Sequence, residues 1–171
     1  AMFNPVNDRS IIFLRDEGGS ERYQVFYYDL GTGRTLRITD GKSRHTGALW
    51  SPKGDRIAYF STKRNGRDND LYVTDPRLPG SEKLLLKLNG GGWWIEDWSQ
   101  DGRLFLVMEY ISINESRLHI VDINSGEISP LTPKLKVPVS HQNARFDPRL
   151  RAVYFTSDDG FDFQRLTRLD L

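Results

Sequence analysis

The three histidines are the residues of this sequence best suited to proton transfer or metal binding near neutral pH. His119 lies three residues before an aspartate that recurs along the chain, at a position we assign to packing inside a strand. His45 and His141 lie in predicted loops, where we expect solvated side chains. None of the three stands at metal-ligand spacing from another histidine or a carboxylate. The histidines therefore predict neither a catalytic base nor a metal site, and no cofactor is expected.

A second candidate for chemistry is the polar loop of residues 64–70, in which Asp68 and Asp70 could bind Ca²⁺. The loop lacks the spacing of an EF-hand and its terminal glutamate. Calcium binding is therefore the weaker interpretation of this acidic pair.

Composition excludes several classes of partner. The 24 Lys+Arg and 23 Asp+Glu residues give a net charge of +1 and are scattered along the chain, which argues against a nucleic-acid partner. No apolar run approaches the ~18–20 residues that cross a bilayer, so no membrane partner is expected. The absence of cysteine fits a reducing cytoplasm and an oxidising periplasm equally well, and the compartment stays open.

The elements that must position any site come from a repeat. An aromatic residue followed by a turn recurs at spacings of 47, 48 and 48 residues. Each turn leads into an apolar run that is typical of a buried strand, and a later strand ends each time in aspartate. We expect these carboxylates to accept backbone N–H groups in the following turn. The aromatic residues are Phe3, Trp50, Trp98 and Phe146, and the aspartates are Asp29, Asp75, Asp122 and Asp170.

Four short strands per repeat, without helical periodicity between them, predict an all-β fold of about four β-propeller blades built from four-stranded antiparallel sheets. The repeats span approximately residues 1–41, 42–90, 91–134 and 135–171. The first strand of the first repeat is stunted and the last repeat lacks its outermost strand, which favours a segment of a larger ring. A compact four-blade closure and a dimer of half-rings are the alternatives, and open blade faces would favour self-association.

Register predicts one specific contact. Asp97 and Arg145 both immediately precede the repeated aromatic residue, so they are expected to face each other in adjacent blades as a half-buried ion pair.

The loops before the first strands and those between second and third strands fall on one face of a propeller, because strand direction alternates. That face is the predicted binding surface for a peptide or a partner protein. The alternative for Trp93 and Trp94, which follow three glycines, is that they fill a gap between blades. The residues expected on the face are Arg44, His45, Trp93, Trp94, Asp158, Asp159 and Phe161.

The repeat carries a family resemblance. The segment Trp50-Ser51-Pro52-Lys53-Gly54-Asp55 resembles the TolB-like propeller repeat, with Lys53 in place of the usual aspartate. The segments 91–104, 117–122 and 163–171 resemble the N-terminal propeller of bacterial prolyl-oligopeptidase-family serine peptidases.

The resemblance implies a lid that gates the access of short peptides to an α/β-hydrolase domain, which would be the missing partner. No Gly-x-Ser-x-Gly nucleophile elbow occurs in the chain, so no catalytic residue is assigned. The alternative is a free-standing TolB-like propeller that binds other proteins through its loop face.

Overall fold

The computed structural model describes all 171 residues, and the chain folds into strands without a helix. The predicted all-β class is confirmed. Apolar, β-branched and aromatic residues form the central strands, while glycine, asparagine and proline mark the turns. The strands are β1 (Met2–Phe3), β2 (Ser10–Arg15), β3 (Gln24–Asp29), β4 (Arg34–Arg37), β5 (His45–Trp50), β6 (Ile57–Ser61), β7 (Asp70–Thr74), β8 (Lys83–Leu86), β9 (Trp93–Trp98), β10 (Leu104–Ser112), β11 (Glu115–Asp122), β12 (Ile128–Pro130), β13 (His141–Phe146), β14 (Ala152–Ser157) and β15 (Arg165–Asp170).

The strands form four antiparallel sheets in which spatial order follows chain order. Sheet 1 contains β1 to β4, sheet 2 contains β5 to β8, sheet 3 contains β9 to β12, and sheet 4 contains β13 to β15. The chain divides into two compact units: unit 1 (Ala1–Gly91) holds sheets 1 and 2, and unit 2 (Gly92–Leu171) holds sheets 3 and 4. No helix long and apolar enough to span a membrane is present.

The core of unit 1 lies between sheets 1 and 2. Trp50, one of the repeated aromatic residues, is 4% exposed and meets the edge of Tyr27 at 6.3 Å between ring centroids. Its indole N–H donates to the Met2 carbonyl at 3.1 Å, so the ring joins the two sheets by packing and by a hydrogen bond. The buried members of this core are Ile12, Val25, Tyr27, Trp50, Ile57, Tyr59 and Tyr72.

Sheets 3 and 4 enclose the core of unit 2. Trp98 packs on Phe105 within sheet 3 at 4.4 Å between centroids, and Phe146 is the repeated aromatic residue of sheet 4. Residues from both sheets are needed to cover either face, which is the reason that such repeats stack. The buried members are Leu106, Leu118, Ala144, Phe146, Val153 and Phe155.

The recurring aspartates lie where third strands end. Asp29 accepts the Thr32 N–H at 2.8 Å, and Asp122 accepts the N–H groups of Asn124 and Ser125 at 2.9 Å each. These hydrogen bonds from backbone N–H groups lower the pKa of both carboxyls.

The other two aspartates bond to arginine. A side-chain hydrogen bond from Arg77 lowers the pKa of Asp75, and Asp170 lies 2.5 Å from the Arg168 guanidinium. Asp75 also accepts the Arg77 N–H at 2.9 Å.

The first strands of sheets 2, 3 and 4 share an irregularity in their pairing with the second strand. The register shifts between Thr46 and Leu49, around Glu96, and between Gln142 and Arg145. Such a bulge inserts a residue into one strand and re-aims the side chains beyond it. Asn143, in the third bulge, has the left-handed φ of 55° that this backbone path needs.

The bulges overturn the predicted ion pair between Asp97 and Arg145. Asp97 instead accepts the Phe146 N–H at 2.9 Å, while the Arg145 guanidinium lies 3.7 Å from the Glu96 carboxylate and donates to the Glu96 carbonyl. Glu96 also accepts the Ala144 N–H at 3.0 Å, and burial raises its pKa. The prediction was wrong because the bulge re-aims the side chains beside it, so that Asp97 reaches the Phe146 N–H and Arg145 reaches Glu96.

Candidate functional site

A cationic cavity lies at the loop end of unit 1, where the β2–β3, β4–β5 and β6–β7 connections meet. Its volume is about 440 Å³. Four basic side chains and a single acidic one line it, together with the hydroxyl residues Ser20, Ser43 and Thr62. The basic residues are Arg22, Lys42, Arg44 and Lys63, and the acidic one is Glu21.

Most of the positive charge of this cavity is uncompensated by the protein. Lys63 pairs with Glu82 at 2.7 Å, and that hydrogen bond raises the pKa of the Lys63 ammonium. Arg22, Lys42 and Arg44 take part in no ion pair of the structure. Like charges gathered in a concave surface focus a positive potential there.

Buried Gln24 forms the support beneath the cavity. Its side-chain amide donates to the carbonyls of Arg22 at 3.0 Å and Ser43 at 2.7 Å, and its carbonyl accepts from Thr39 and Gly41 at 2.8 Å each. Gln24 is 5% exposed, so these four bonds satisfy the amide completely where water cannot. The backbones that carry Arg22 and Arg44 are therefore fixed relative to each other.

Thr62 joins the β6–β7 connection to the β4–β5 connection by hydrogen bonds. The Thr62 N–H donates to the Arg44 carbonyl at 3.0 Å, and the Arg44 N–H donates to the Thr62 hydroxyl at 3.2 Å. The three loops thus form one hydrogen-bonded rim, with the side chains of the basic residues free of bonds to it.

The expected exposure of His45 and His141 is wrong. His45 begins β5, is 1% exposed and lies with Nδ1 3.2 Å from the Tyr23 carbonyl, while His141 begins β13 and is 5% exposed. Both strands start at the histidine rather than after it, and the pleat turns the rings inward. Burial lowers the pKa of both imidazoles, so both are neutral at pH 7.

In the acidic loop of residues 64–70, arginine side chains and backbone N–H groups occupy both carboxylates. Asp70, fully buried, accepts from Arg64 Nε at 2.5 Å and from the Leu88 N–H at 2.9 Å. Asp68 accepts from Arg67 at 3.0 Å and from the Gly90 N–H at 2.9 Å, and these hydrogen bonds, with that of Arg67 the strongest, lower its pKa. The carboxylate oxygens that calcium would need are already occupied by guanidinium and N–H groups.

The loop end of unit 2 is aromatic rather than cationic. Trp93 is buried at 7% exposure and packs on His119 at 5.4 Å between ring centroids, whereas its neighbour Trp94 is 44% exposed. Alternation along β9 sends the two rings to opposite faces. Trp93 therefore belongs to the interior of sheet 3, and its predicted place on a binding surface is wrong.

His119 keeps the interior position predicted for it. Its Nε2 atom lies 3.4 Å from a Glu109 oxygen without the geometry of a hydrogen bond. Burial lowers the pKa of the His119 imidazole, with Glu109 acting in the opposite direction. The His119 side chain is 14% exposed and packs on the Trp93 ring.

The remaining predicted residues of unit 2 form no shared site. Asp158 accepts the Ser140 N–H at 2.8 Å and so closes the start of β13, and Asp159 is exposed. Phe161 is 51% exposed, and the Arg165 guanidinium lies 3.7 Å above its ring. The structure contains no cluster of three histidine, aspartate or glutamate side chains that could hold a metal ion.

Of the predicted surface residues, Arg44 alone lines the cationic cavity. Sequence reasoning missed Arg22, Lys42 and Lys63, although each lies in a connection assigned to the same face. Counting basic residues over all connections of that face would have found them.

No protein-family model matches the chain, and no curated protein matches it. Solved structures do match along nearly its whole length. TolB from Acinetobacter baumannii superposes with a TM-score of 0.71 at 21% identity, over 96% of this chain and 39% of TolB. Oligogalacturonate lyase from Vibrio parahaemolyticus gives a TM-score of 0.76 at 16% identity, over 98% of this chain and 47% of the lyase. A prolyl endopeptidase gives 0.68 at 17% identity, over 96% of this chain and 25% of the endopeptidase.

These likenesses show the fold: the chain is a segment of a TolB-like β-propeller. Propeller blades of this kind are shared by proteins of different activity, so the fold alone does not fix the function. The chain spans less than half the length of each of the three proteins.

Proposed function

We propose that the chain is the non-catalytic propeller part of a prolyl-oligopeptidase-type serine peptidase, in which it gates the access of short peptides and docks the α/β-hydrolase domain. The observation that carries the proposal is the superposition of 96% of the chain on one quarter of a prolyl endopeptidase. For that endopeptidase, inter-domain dynamics have a role in catalysis and specificity. A propeller that gates the access of peptides would serve such a role.

The chemistry of the chain supports a binding role. Its sequence has no nucleophile elbow, and its three histidines are packed inside sheets with lowered pKa values. The loop end of unit 1 offers instead an open cavity with hydroxyl groups and unpaired cations, the groups that bind polar peptide atoms.

The test uses the natural protein from which the sequence comes. We expect its reading frame to encode a Gly-x-Ser-x-Gly elbow outside these residues, and we expect a fluorophosphonate probe to label that serine. The enzyme without the probe should cleave fluorogenic octapeptides and leave an unfolded protein of about 100 residues intact, because a gate selects by size. Treatment with the fluorophosphonate should abolish the peptide cleavage.

Two results would overturn the proposal. Labelling or peptide turnover by the purified 171-residue chain alone would show a catalytic serine within it. A natural protein that ends in further blades, with no labelled serine, would instead be a free-standing TolB-like interaction propeller.

A further inference from the structure

We propose that the cationic cavity of unit 1 binds the free carboxylate of a short peptide, with Arg22 and Arg44 as the residues that contact it. The inference rests on the proposed function and names the chemical group that this propeller would recognise.

The charge of the cavity favours an anion. Three cations without ion-pair partners share one concavity with a single acidic lining residue, Glu21, and repulsion among them opposes the folded state. Gln24 bonds to the carbonyls of Arg22 and Ser43 and so fixes the backbones from which the Arg22 and Arg44 side chains extend. A bound oxyanion relieves the repulsion and accepts the guanidinium N–H groups in pairs.

The volume of the cavity and the residues that line it narrow the class of anion that can bind there. A volume of about 440 Å³ accommodates a small ligand or the end of a peptide. Its polar lining contains no aromatic side chain, so the cavity offers neither an apolar pocket nor a stacking platform for a nucleobase.

Glu21 distinguishes a peptide end from a simple anion. A carboxylate in the lining can accept the amide N–H that precedes a peptide's terminal carboxylate, with the hydroxyls of Ser43 and Thr62 beside it. Inorganic phosphate has no amide N–H to donate to the Glu21 carboxylate. At neutral pH the negative charge of the phosphate is also repelled by that carboxylate.

The experiment compares two N-acetylated fluorescent tetrapeptides that differ only in a free C-terminal carboxylate or a C-terminal amide. Their affinity for the 171-residue chain is measured by fluorescence anisotropy at low salt. We expect the amide to bind about 10-fold more weakly or worse, since a hydrogen bond to a charged group contributes about 1.5 kcal/mol or more.

The variants are Arg44→Gln and Arg22→Gln, with Arg9→Gln as the matched control. Arg9 is an exposed arginine of the same unit that lies outside the cavity, so its loss removes the same charge elsewhere. The side chains of Arg22 and Arg44 hold no structural bond, and thermal unfolding should be unchanged in all three variants. We expect Kd for the free acid to rise about 10-fold for the two cavity variants and less than about 2-fold for Arg9→Gln.

Three results of these measurements would overturn the inference. Equal binding of acid and amide, or binding indifferent to Arg44→Gln, overturns the inference. Binding of inorganic phosphate, measured by calorimetry, with no measurable binding of either peptide also overturns it, leaving a general oxyanion site. Because no hydrolase is involved, each of these results leaves the proposed peptidase function to its own labelling test.

Discussion

The connection between the second and third strands is ordered differently in sheet 2 of unit 1 and in sheet 3 of unit 2. In unit 1, residues 62–69 form a long loop in which Arg64 pairs with the buried carboxylates of Asp68 and of Asp70, the first residue of β7. In unit 2, only residues 113–114 separate β10 from β11, and these strands lengthen to nine and eight residues. A long polar loop needs an ionic network to remain ordered, whereas a hairpin is ordered by its own ladder of hydrogen bonds.

The difference also decides what each loop end exposes. The extended hairpin of unit 2 carries Tyr110, Ile111 and Ile113 into solvent at 45%, 41% and 79% exposure. The loop of unit 1 pairs its own cations, Lys63, Arg64 and Arg67, with carboxylates. The unpaired cations of the cavity come from the two other connections at this loop end. The cationic cavity therefore belongs to unit 1, although both units come from the same repeat.

The ionic loop of unit 1 gives the largest expected effect. Asp70→Ala removes the acceptor of Arg64 and of the Leu88 N–H inside a fully buried site. We expect the free energy of unfolding to fall by about 3 kcal/mol, because the buried Leu88 N–H and the partly exposed Arg64 guanidinium both lose their acceptor. Urea denaturation measures this, with Asp159→Ala, an exposed aspartate of unit 2, as the control. Equal losses in the two variants would contradict the contrast between the loop ends.

The hairpin of unit 2 depends on close backbone contact instead of charge. A Cβ atom at Gly92 would lie 2.3 Å from the Tyr110 carbonyl oxygen, where backbone rather than a flexible side chain must shift. Gly92→Ala should therefore cost about 2 kcal/mol of unfolding free energy. The adjacent Gly91 is the control, since its Cβ would meet nothing nearer than 4.0 Å. A smaller loss for Gly92→Ala than for Gly91→Ala would refute this account.

We expect low pH to reduce the stability of both units because their histidines become protonated. Unit 2 carries two of the three histidines. Burial lowers the pKa of His45, His119 and His141 below the ordinary value of 6.5. The unfolded chain then binds more protons than the folded one, so stability is complete above about pH 6.5 and falls as the pH decreases below it.

The carboxyl groups whose pKa is lowered act in a separate, more acidic pH range. Although burial opposes it, hydrogen bonds from the Ser43 and Lys42 N–H groups lower the pKa of Asp40 to about 2, and its contribution is lost only below about pH 4. Because the raised pKa of Glu96 acts in the opposite direction, urea unfolding at pH 7 and pH 5.5 is measured in a Glu96→Gln background, where it should isolate the histidines. The His119→Gln and His141→Gln double variant should flatten the dependence more than His45→Gln. A stability that does not change between the two pH values would rule out this assignment.

The smallest effect concerns the bulges of unit 2. Glu96→Gln and Arg145→Gln should show a coupling free energy of about 0.5 kcal/mol or less, because Arg145 is 61% exposed. The cycle of Asp97→Asn with Arg145→Gln should be additive within error, since Asp97 bonds to the Phe146 N–H instead. Coupling confined to the Asp97 cycle would restore the contact predicted from register.

The sequence by itself determined the all-β fold, the strand order and the positions of the repeated aromatic residues. These features depend on local signals, apolar runs and turn residues, that recur with one period. Trp50 and Trp98 lie in the cores because a blade without its neighbour leaves both faces uncovered. The turn aspartates Asp29 and Asp122 likewise act on N–H groups two or three residues away, within reach of a sequence argument.

Only the tertiary structure decided which side chains meet across strands and loops. A bulge in β9 and another in β13 exchanged Asp97 for Glu96 as the neighbour of Arg145, and the pleat of β9 buried Trp93 while exposing Trp94. The cationic cavity combines three connections that are distant in sequence and joined through buried Gln24. One extra residue reverses the direction of every side chain beyond it, and periodicity alone does not reveal that insertion.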